Sequence, residues 1–164
     1  MNLILLIGGI IVAVVVCWFL FKKKKTKIVY VGCALTNVPD EFKEDFSCKV
    51  EELKKKLEGI CIVLKFKGLS DGNIPYDVYV HDINKCVRKC DLLVAICDYP
   101  SIGLGYEMAT QGESRKKPTL AVAHIESRIS KLILDPRTPG YEFKRYKNLV
   151  DDVYEFVAER LKTL

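Results

Sequence analysis

A segment that follows a long apolar run holds the residues whose types and spacing best suit chemistry. It spans residues 98–109 (DYPSIGLGYEMA) and brings a serine, two glycines and a glutamate together. Glycines let the backbone approach a ligand closely, and the free amides of a helix start can bind an anion beside the Ser101 hydroxyl. Glu107 falls in the first turns of the predicted helix, where the helix dipole favours the ionised form that a nucleophile needs. A glycine-rich turn with a helix-stabilising Glu is the structural alternative.

The histidines and cysteines offer less chemistry. His81 adjoins Asp82, but a surface or capping position is expected for it, and His124 stands apart. Cys86 and Cys90 are four residues apart and could share a helix face, yet two thiols without further ligands make a weak metal site. Buried free thiols are expected instead. No His, Cys and carboxylate residues have metal-ligand spacing and no dinucleotide or P-loop pattern occurs, so neither a metal nor another cofactor is predicted.

Strands alternate with helices in the elements that must position this segment. Strands are predicted at 27–33, 60–66, 91–97, 119–123 and 141–146, and helices at 40–57, 76–89, 106–114, 127–134 and 148–161. The third strand is almost wholly apolar, which is typical of a central strand in a parallel sheet. The pattern predicts an α/β domain, with a doubly wound, five-stranded parallel sheet of flavodoxin-like order 2-1-3-4-5. Such sheets bind ligands at the carboxyl ends of their strands, so chemistry is expected in the turns after the first and third strands.

The N-terminal segment has the composition of a membrane span. Residues 3–21 form an apolar run of 19 residues without any charge. A helix of that length spans about 28 Å, close to the roughly 30 Å hydrocarbon core of a bilayer. A cleaved signal peptide is the alternative, but the basic cluster lies on the wrong side of the run and the cleavage context is poor. We therefore expect a retained transmembrane anchor at 1–21, a basic juxtamembrane linker at 22–27 and a folded domain at 28–164.

Charge and cysteine usage bear on partners and location. Five lysines at positions 22–25 and 27 account for the net charge of +5 and leave 21 basic against 21 acidic residues in the rest of the chain. A balanced domain of this kind is not expected to bind a nucleic-acid polymer. The positive-inside rule places the C-terminal domain of this single-pass membrane protein in the cytoplasm. An odd count of seven scattered cysteines fits that compartment.

The segment from Pro100 to Met108, together with the preceding strand DLLVAIC, resembles the nucleoside 2-deoxyribosyltransferase superfamily. The similarity is strongest to its 2′-deoxynucleoside 5′-phosphate N-hydrolases, whose motif is P-S-[small/apolar]-G-[apolar]-G-Y-E-[apolar]-G. A weaker likeness extends from Ile28 to about Val153 and does not include the predicted anchor. The resemblance implies an enzyme that cleaves the bond between base and sugar of a nucleoside monophosphate or a nucleoside. It also implies a homodimer in which each pocket is completed by the neighbouring subunit.

The same resemblance implies two catalytic residues. Glu107 takes the place of the nucleophile that attacks the anomeric carbon and displaces the base, as in a retaining glycosidase. Asp82 takes the place of an aspartate that contacts the sugar or assists departure of the base. The family separates that aspartate by eight residues from the one that opens the third strand, whereas Asp82 and Asp91 are nine apart. One extra residue rotates an α-helical side chain by about 100°.

Substrate-binding roles fall, by the same resemblance, on Tyr30, Gly32, Ser101, Gly103 and Gly105. Ser101 stands where the transferase branch has an acidic residue that would repel a 5′-phosphate, so a nucleoside monophosphate is favoured over a free nucleoside. The amides near the two later glycines are expected to cradle the phosphate and sugar. The aromatic side chain on the first strand is expected to line the pocket.

The turn after the first strand departs from the family pattern. The hydrolases carry a Ser and an Arg there that help to hold phosphate, whereas this chain has Cys-Ala-Leu-Thr at positions 33–36. Thr36 or Asn37 would have to substitute for them. Two alternatives to the hydrolase therefore stay open. One is a transferase with the same nucleophile, and the other is a membrane-tethered nucleotide-binding sensor without turnover.

Overall fold

The computed structural model describes residues 26–34, 36–67, 74–134 and 137–164. The predicted transmembrane helix lies outside these residues, as does most of the basic linker. Within the described ranges, none of the helices has the length and apolar character required to cross a bilayer.

The described chain folds into one parallel sheet with helices on both faces. Its strands are β1 (Ile28–Cys33), β2 (Ile62–Leu64), β3 (Leu92–Ile96), β4 (Thr119–His124) and β5 (Tyr141–Tyr146). Its α-helices are α1 (Asp40–Leu57), α2 (Pro75–Tyr79), α3 (Ile102–Ala109), α4 (Lys131–Leu134) and α5 (Asp151–Lys162). π-Helical segments at Val80–Val87 and Thr110–Ser114 continue α2 and α3. All neighbouring strands are parallel in the order β2-β1-β3-β4-β5, which confirms the predicted α/β topology.

Two apolar layers form because successive side chains of a strand point to opposite faces of the sheet. On one face, Val29 and Val31 pack with residues of α1 and α5. On the other face, Tyr30 packs against the π-helical segment Val80–Val87. The small side chain of Ala95 lies on that second face, in contact with the cluster that contains Leu104 of α3. The second face therefore brings α3 and the first π-helical segment together over β1 and β3.

Helix α1 spans the predicted residues. Its apolar side chains recur every three or four residues, and Phe46, Val50, Leu53 and Leu57 are all buried. Asp40 and the following glutamate lie in the first turn, and lysines lie in the last turn, where each charge complements the helix dipole. Periodicity and charge here favour the same helix, so its bounds could be read from the sequence.

Helix α3 begins earlier than predicted. The sequence favours a start near Tyr106 after a glycine-containing turn, whereas the helix starts at Ile102. Ser101 is the N-cap, and its Oγ accepts a hydrogen bond from the Leu104 amide over 3.2 Å. The prediction was wrong because the stabilising cap outweighs the low helix propensity of Gly103 and Gly105.

The helix predicted at 76–89 is helical but changes its winding. Pro75–Tyr79 is α-helical and Val80–Val87 is π-helical. At its end the Arg88 amide donates to the Ile83 carbonyl over 2.8 Å, five residues back. A π-helical turn closes with one more residue than an α-helical turn. This segment can therefore hold an additional residue without turning the preceding side chains away from the sheet.

Candidate active site

A cavity opens at the carboxyl ends of β1 and β3, where the strand order reverses. Its volume is about 280 Å³. The described residues that line it are Tyr30, Cys33, Thr36, Phe66, Val78, Asp82, Ser101, Gly103, Leu104 and Glu107. They come from β1 and the turn after it, the segment after β2, helix α2, the first π-helical segment, and α3 with its N-cap. The crossover connections on this face of the sheet thus bring residues that are distant in sequence to one crevice.

Glu107 and Tyr30 form the polar centre of this cavity. Helix α3 presents the glutamate towards β1, and Tyr30 Oη donates a hydrogen bond to Glu107 Oε1 over 2.9 Å. Tyr30 is 2% exposed, so neighbouring side chains hold its ring in place. Burial, followed by the nearby carboxylate, raises the pKa of the Tyr30 hydroxyl above its ordinary value. The hydroxyl therefore stays protonated and acts as a fixed donor to the glutamate.

Gly32 provides the space for that glutamate. A Cβ at this position would lie 2.7 Å from Glu107 Oε2 and 2.9 Å from Leu104 Cδ1. Real Cβ atoms do not approach other heavy atoms that closely, so a side chain here would displace the carboxyl group. Gly32 thus lies directly against the candidate catalytic group and contributes through the side chain it lacks.

Burial raises the pKa of the Glu107 carboxyl to about 7. The hydrogen bond from Tyr30 opposes this rise, and the charge of Asp82 adds to it. The net shift is therefore opposite in direction to the one that the helix dipole alone would produce. Because α3 begins at Ile102, Glu107 lies in its second turn, where the dipole effect has weakened, and desolvation dominates. The carboxyl group therefore changes charge close to neutral pH.

Asp82 lines the same cavity from the first π-helical segment. Its side chain is 13% exposed, and its Oδ1 lies 2.8 Å from His81 Nδ1. The same Oδ1 accepts a hydrogen bond from the Lys67 amide over 2.8 Å. The nine-residue spacing to Asp91 does not turn Asp82 away from the cavity, because the intervening π-helical turn takes up one residue more than an α-helical turn.

The N-terminus of α3 supplies the other polar wall. Ser101 and Gly103 line the cavity, as predicted from the glycine-containing segment. The amides of Ile102 and Gly103 open the helix and have no acceptor one turn back. Gly105 is different, because it does not line the cavity and its amide donates to the Ser101 carbonyl over 3.1 Å. The expectation that the amide of Gly105 is free to bind phosphate is wrong, since the early helix start commits it to the helix.

The turn after β1 holds the two residues that were expected to substitute for the Ser and Arg of the family, and they occupy different positions. Thr36 lines the cavity, whereas Asn37 Nδ2 donates to the Pro100 carbonyl over 2.7 Å and joins the two loops. Cys33 also faces the cavity, and burial raises the pKa of its thiol to about 11. Among the described lining residues there is no lysine or arginine. The hydrogen-bond donors that the described walls offer to a ligand are therefore uncharged groups.

Sequence reasoning missed the apolar wall of the cavity. Phe66 follows β2, Val78 lies in α2, and Leu104 lies in α3. The signal that could have found Phe66 is its position just beyond a strand that neighbours β1. Side chains at the carboxyl ends of adjacent parallel strands lie along one edge of the sheet. Together these three residues provide a surface that suits a planar ring.

Three metal-ligating side chains also meet beside the cavity. The ligand atoms of His81, Asp82 and Cys86 lie within 4.8 Å of one another. The sequence interpretation found no such spacing, because it assumed an α-helix through this region. Cys86 and Cys90 do not pair as a metal site in the described part of the chain, and Cys90 Sγ instead donates to the Val87 carbonyl over 3.3 Å.

Comparison with known proteins connects this site to an enzyme class. No family model matches the chain. The protein named "Putative 2′-deoxynucleoside 5′-phosphate N-hydrolase 1" from Syntrophotalea carbinolica is 33% identical over 98 residues, which cover 57% of this chain and 68% of that protein. The solved structure of the Clostridium botulinum CMP N-glycosidase BcmB superposes with a TM-score of 0.62 at 17% identity, over 81% of this chain and 99% of that chain. This second likeness shows a shared fold.

The crevice in this fold, taken with the Syntrophotalea carbinolica relative, defines the class of protein: it is an enzyme of the N-glycosidase type. More particularly, the chain belongs to the 2′-deoxynucleoside 5′-phosphate N-hydrolase family, within the nucleoside 2-deoxyribosyltransferase superfamily. The resemblance predicted from residues 100–108 is thereby confirmed.

Proposed function

We propose that this enzyme hydrolyses the N-glycosidic bond of a (deoxy)nucleoside 5′-monophosphate and releases the base and a sugar 5-phosphate. The observation that carries the proposal is the position of Glu107. Its carboxyl group lies in a cavity at the β1–β3 crevice, is held by Tyr30 over 2.9 Å and has a pKa of about 7. At neutral pH such a carboxyl group can be ionised, and its burial keeps bulk water from solvating the charge.

The proposed reaction has two steps. In the first, a Glu107 oxygen forms a bond to C1′ while the bond from C1′ to the base nitrogen breaks, and its electron pair leaves with the base. For this step Glu107 is ionised and Asp82, which lies in the same cavity, is the protonated partner that delivers its proton to the departing base. In the second step water attacks C1′, the ester bond to Glu107 breaks, and the proton lost by water restores the acid.

Tyr30 and Gly32 act as positioning residues in this scheme. Tyr30 donates to one carboxylate oxygen, which fixes the group and leaves the other oxygen available for attack. The space at Gly32 lets that second oxygen lie against β1. Fixing the nucleophile before substrate binds reduces the entropy that must be lost on the way to the transition state.

In this proposal the 5′-phosphate of the substrate binds at the N-terminus of α3. The Ile102 and Gly103 amides point out of the first turn, where the positive end of the helix dipole favours an anion. Ser101 Oγ accepts from the Leu104 amide, and a hydroxyl that accepts one hydrogen bond can still donate another. Thr36 adds a second hydroxyl from the opposite loop. Phe66 and Val78 form the apolar wall against which the base would lie.

The experiment is a substrate panel with the purified full chain. Ribo- and deoxyribonucleoside monophosphates and the matching free nucleosides are incubated with the wild type and with Glu107→Gln, and released base is measured by chromatography. We expect base from a monophosphate with the wild type, and a loss of at least about 10³-fold in kcat with Glu107→Gln. Equal base release by both proteins would refute the role of Glu107.

The same panel separates the alternatives. If a second free base is added and an exchanged nucleoside forms, the enzyme is a transferase that uses the same nucleophile. Tight binding of a monophosphate without base release by the wild type would instead support the nucleotide-binding sensor. Faster cleavage of free nucleosides than of monophosphates would contradict the proposed phosphate site at Ser101.

We also propose that residues 1–21 anchor the enzyme in a membrane as a single-pass protein, with the basic linker at 22–27 and the domain at 28–164 on the cytoplasmic side. The uncharged run and the lysines that follow it support this arrangement. The test compares the full chain with a chain that lacks residues 1–21. We expect the full chain alone to resist alkaline extraction from membranes, and extraction of both would refute the anchor.

A homodimer is proposed from an apolar surface beside the cavity. Tyr76, Tyr79, Ile102 and Tyr106 are all exposed, and Ile102 is 95% exposed. The Tyr79 and Tyr106 rings lie 6.4 Å apart, so α2 and α3 form one continuous apolar face. We expect a dimer by sedimentation and a monomer for Ile102→Asp. The control is Leu132→Asp, an exposed apolar position on α4 that should leave the dimer intact.

A further inference from the structure

The first π-helical segment carries a group of metal-ligating side chains, of which only Asp82 has a role in the proposed reaction. It consists of His81, Asp82 and Cys86, which we call the His–Asp–Cys cluster. His81 Nδ1 lies 2.8 Å from Asp82 Oδ1 and 3.9 Å from Cys86 Sγ. All three ligand atoms lie within 4.8 Å of one another. Ligands around a tetrahedral zinc ion are about 3.5 Å apart, so small side-chain movements would suffice to hold one.

The π-helical winding creates this cluster. In an α-helix, residues five apart are separated by about 140° around the axis, so His81 and Cys86 would point in different directions. Hydrogen bonds from i to i+5 bring residues five apart onto neighbouring positions of successive turns. The cluster therefore depends on the same local winding that keeps Asp82 at the cavity.

The donor set and its surroundings suit a zinc-like ion. Imidazole nitrogen and thiolate sulfur prefer borderline or soft divalent cations over Mg²⁺ or Ca²⁺, and a third ligand from a carboxylate leaves one position open. The site is sheltered but accessible, because the side chain of His81 is 34% exposed, that of Asp82 is 13% exposed, and Cys86 is buried. Glu107 adds negative charge nearby, and no described lining residue of the cavity opposes it with a lysine or arginine.

We propose that the His–Asp–Cys cluster binds one zinc-like divalent cation, and that the bound ion inhibits hydrolysis. When the cation binds, the Cys86 thiol releases its proton to solvent and its sulfur forms a bond to the metal. Asp82 becomes a metal ligand and can no longer deliver a proton to the departing base. The inhibitory part rests on the proposed function, whereas metal binding stands on the geometry of the cluster alone.

The experiment uses Co²⁺ as a spectroscopic probe for the reduced full chain. We expect one equivalent of Co²⁺ to produce a sulfur-to-cobalt charge-transfer band and the visible bands of a tetrahedral site, and Zn²⁺ to displace it. Cys86→Ser removes the sulfur ligand, and His81→Gln removes the nitrogen ligand from a partly exposed position without disturbing the core. Both should weaken binding by at least tenfold, and Cys86→Ser should abolish the charge-transfer band.

The matched control is Cys90→Ser, which removes a buried thiol just beyond the same segment and outside the cluster. It should keep the band. The absence of a band in the wild type, or an unchanged band in Cys86→Ser, would overturn the metal site. Base release measured at saturating Zn²⁺ should fall at least tenfold in the wild type, and unchanged release would overturn inhibition. If no nucleotide is cleaved under any condition, the proposed function fails, and the band still decides the metal site.

Discussion

Glu107 shows how one side chain meets two opposing demands. The cavity shields its carboxyl group from water, and this burial raises the pKa to about 7. A nucleophile, however, has to be ionised. The hydrogen bond from Tyr30 partly restores the ionised form, because it stabilises the charged carboxylate more than the neutral acid.

The first prediction is a pH dependence of kcat/KM. Because the ionised form of Glu107 reacts, we expect the rate to rise with pH and to level off above about 7. Tyr30→Phe removes the hydrogen bond that lowers this pKa, so the midpoint should move to higher pH and the rate at neutral pH should fall. The phosphate of the substrate also titrates near pH 6. Its contribution is unaffected by Tyr30→Phe, so an unmoved midpoint would contradict the assignment to Glu107.

The second prediction concerns stability. The folded-state pKa of Glu107 is raised from 4.5 to about 7, so the stability it contributes is present below 4.5 and is lost as pH rises through 7. Glu107→Gln does not titrate. The stability of Glu107→Gln, measured as its free energy of unfolding minus that of the wild type, should therefore increase by up to about 3 kcal/mol from pH 4 to pH 8. Urea denaturation of both proteins at each pH measures the difference, and an equal difference at the two values would contradict the shift.

The third prediction tests the space at Gly32. Gly32→Ala places a Cβ 2.7 Å from Glu107 Oε2 and 2.9 Å from Leu104 Cδ1, both at the ends of flexible side chains. We expect the fold to survive with a modest loss of stability and kcat to fall by about 10²-fold, as misplacement of a reacting group by about 1 Å does. Gly105→Ala is the control, because a Cβ there meets nothing within 4 Å. It should keep activity, and similar losses in both variants would contradict the role of Gly32.

At the level of elements, α3 combines a structural cap with the proposed phosphate site. Ser101 caps the helix through the Leu104 amide, and the same helix start places Gly103 at the cavity. An alanine substitution alone cannot separate these roles, because it removes both the cap and the hydroxyl.

The fourth prediction separates them with two substitutions. Ser101→Ala should lower the free energy of unfolding by about 1 kcal/mol, since the cap is lost. Ser101→Asp retains a capping side chain and should be nearly as stable as the wild type, but its charge repels a 5′-phosphate. We expect KM for the monophosphate to rise at least tenfold in Ser101→Asp, with a smaller effect on the free nucleoside. Equal effects on both substrates would contradict a phosphate site here.

Element type was more readily predicted than element detail. The bounds of α1 and β5 follow from their periodicity and flanking residues, and the structure confirms both. The early start of α3 depends on a side-chain cap, and the winding of Val80–Val87 depends on how the segment packs against the sheet. Propensity and periodicity assume regular α-helical geometry, so neither could reveal the residues that meet at Asp82.

For the molecule as a whole, Asp98 joins the ends of three strands behind the site. Its Oδ1 accepts from the His124 amide over 2.7 Å and from Ser127 Oγ over 2.6 Å, and its Oδ2 accepts from Tyr146 Oη. Tyr146 is buried at the end of β5. This network holds the loop that leads into α3 against β4 and β5. It therefore helps to position α3, which carries Glu107.

The fifth prediction follows from that network. Asp98→Ala should lower the free energy of unfolding by about 2–4 kcal/mol, because it leaves three partly buried donors without their acceptor. Tyr146→Phe removes one donor and should cost about 1–2 kcal/mol. The double variant should cost less than the sum, since both substitutions break the same bond. Additive losses in urea denaturation would contradict the coupling.

The sequence by itself determined the order of elements, the parallel sheet and the segment that contains Glu107, because hydrophobic periodicity and a short local motif are properties of neighbouring residues. Only the tertiary structure decided that Tyr30 contacts Glu107, that Gly32 leaves room for it, and that Asp82 stays at the cavity beside His81 and Cys86. Those contacts depend on crossover connections and on one π-helical segment. Their geometry arises from the packing of elements distant in the chain, which local patterns do not encode.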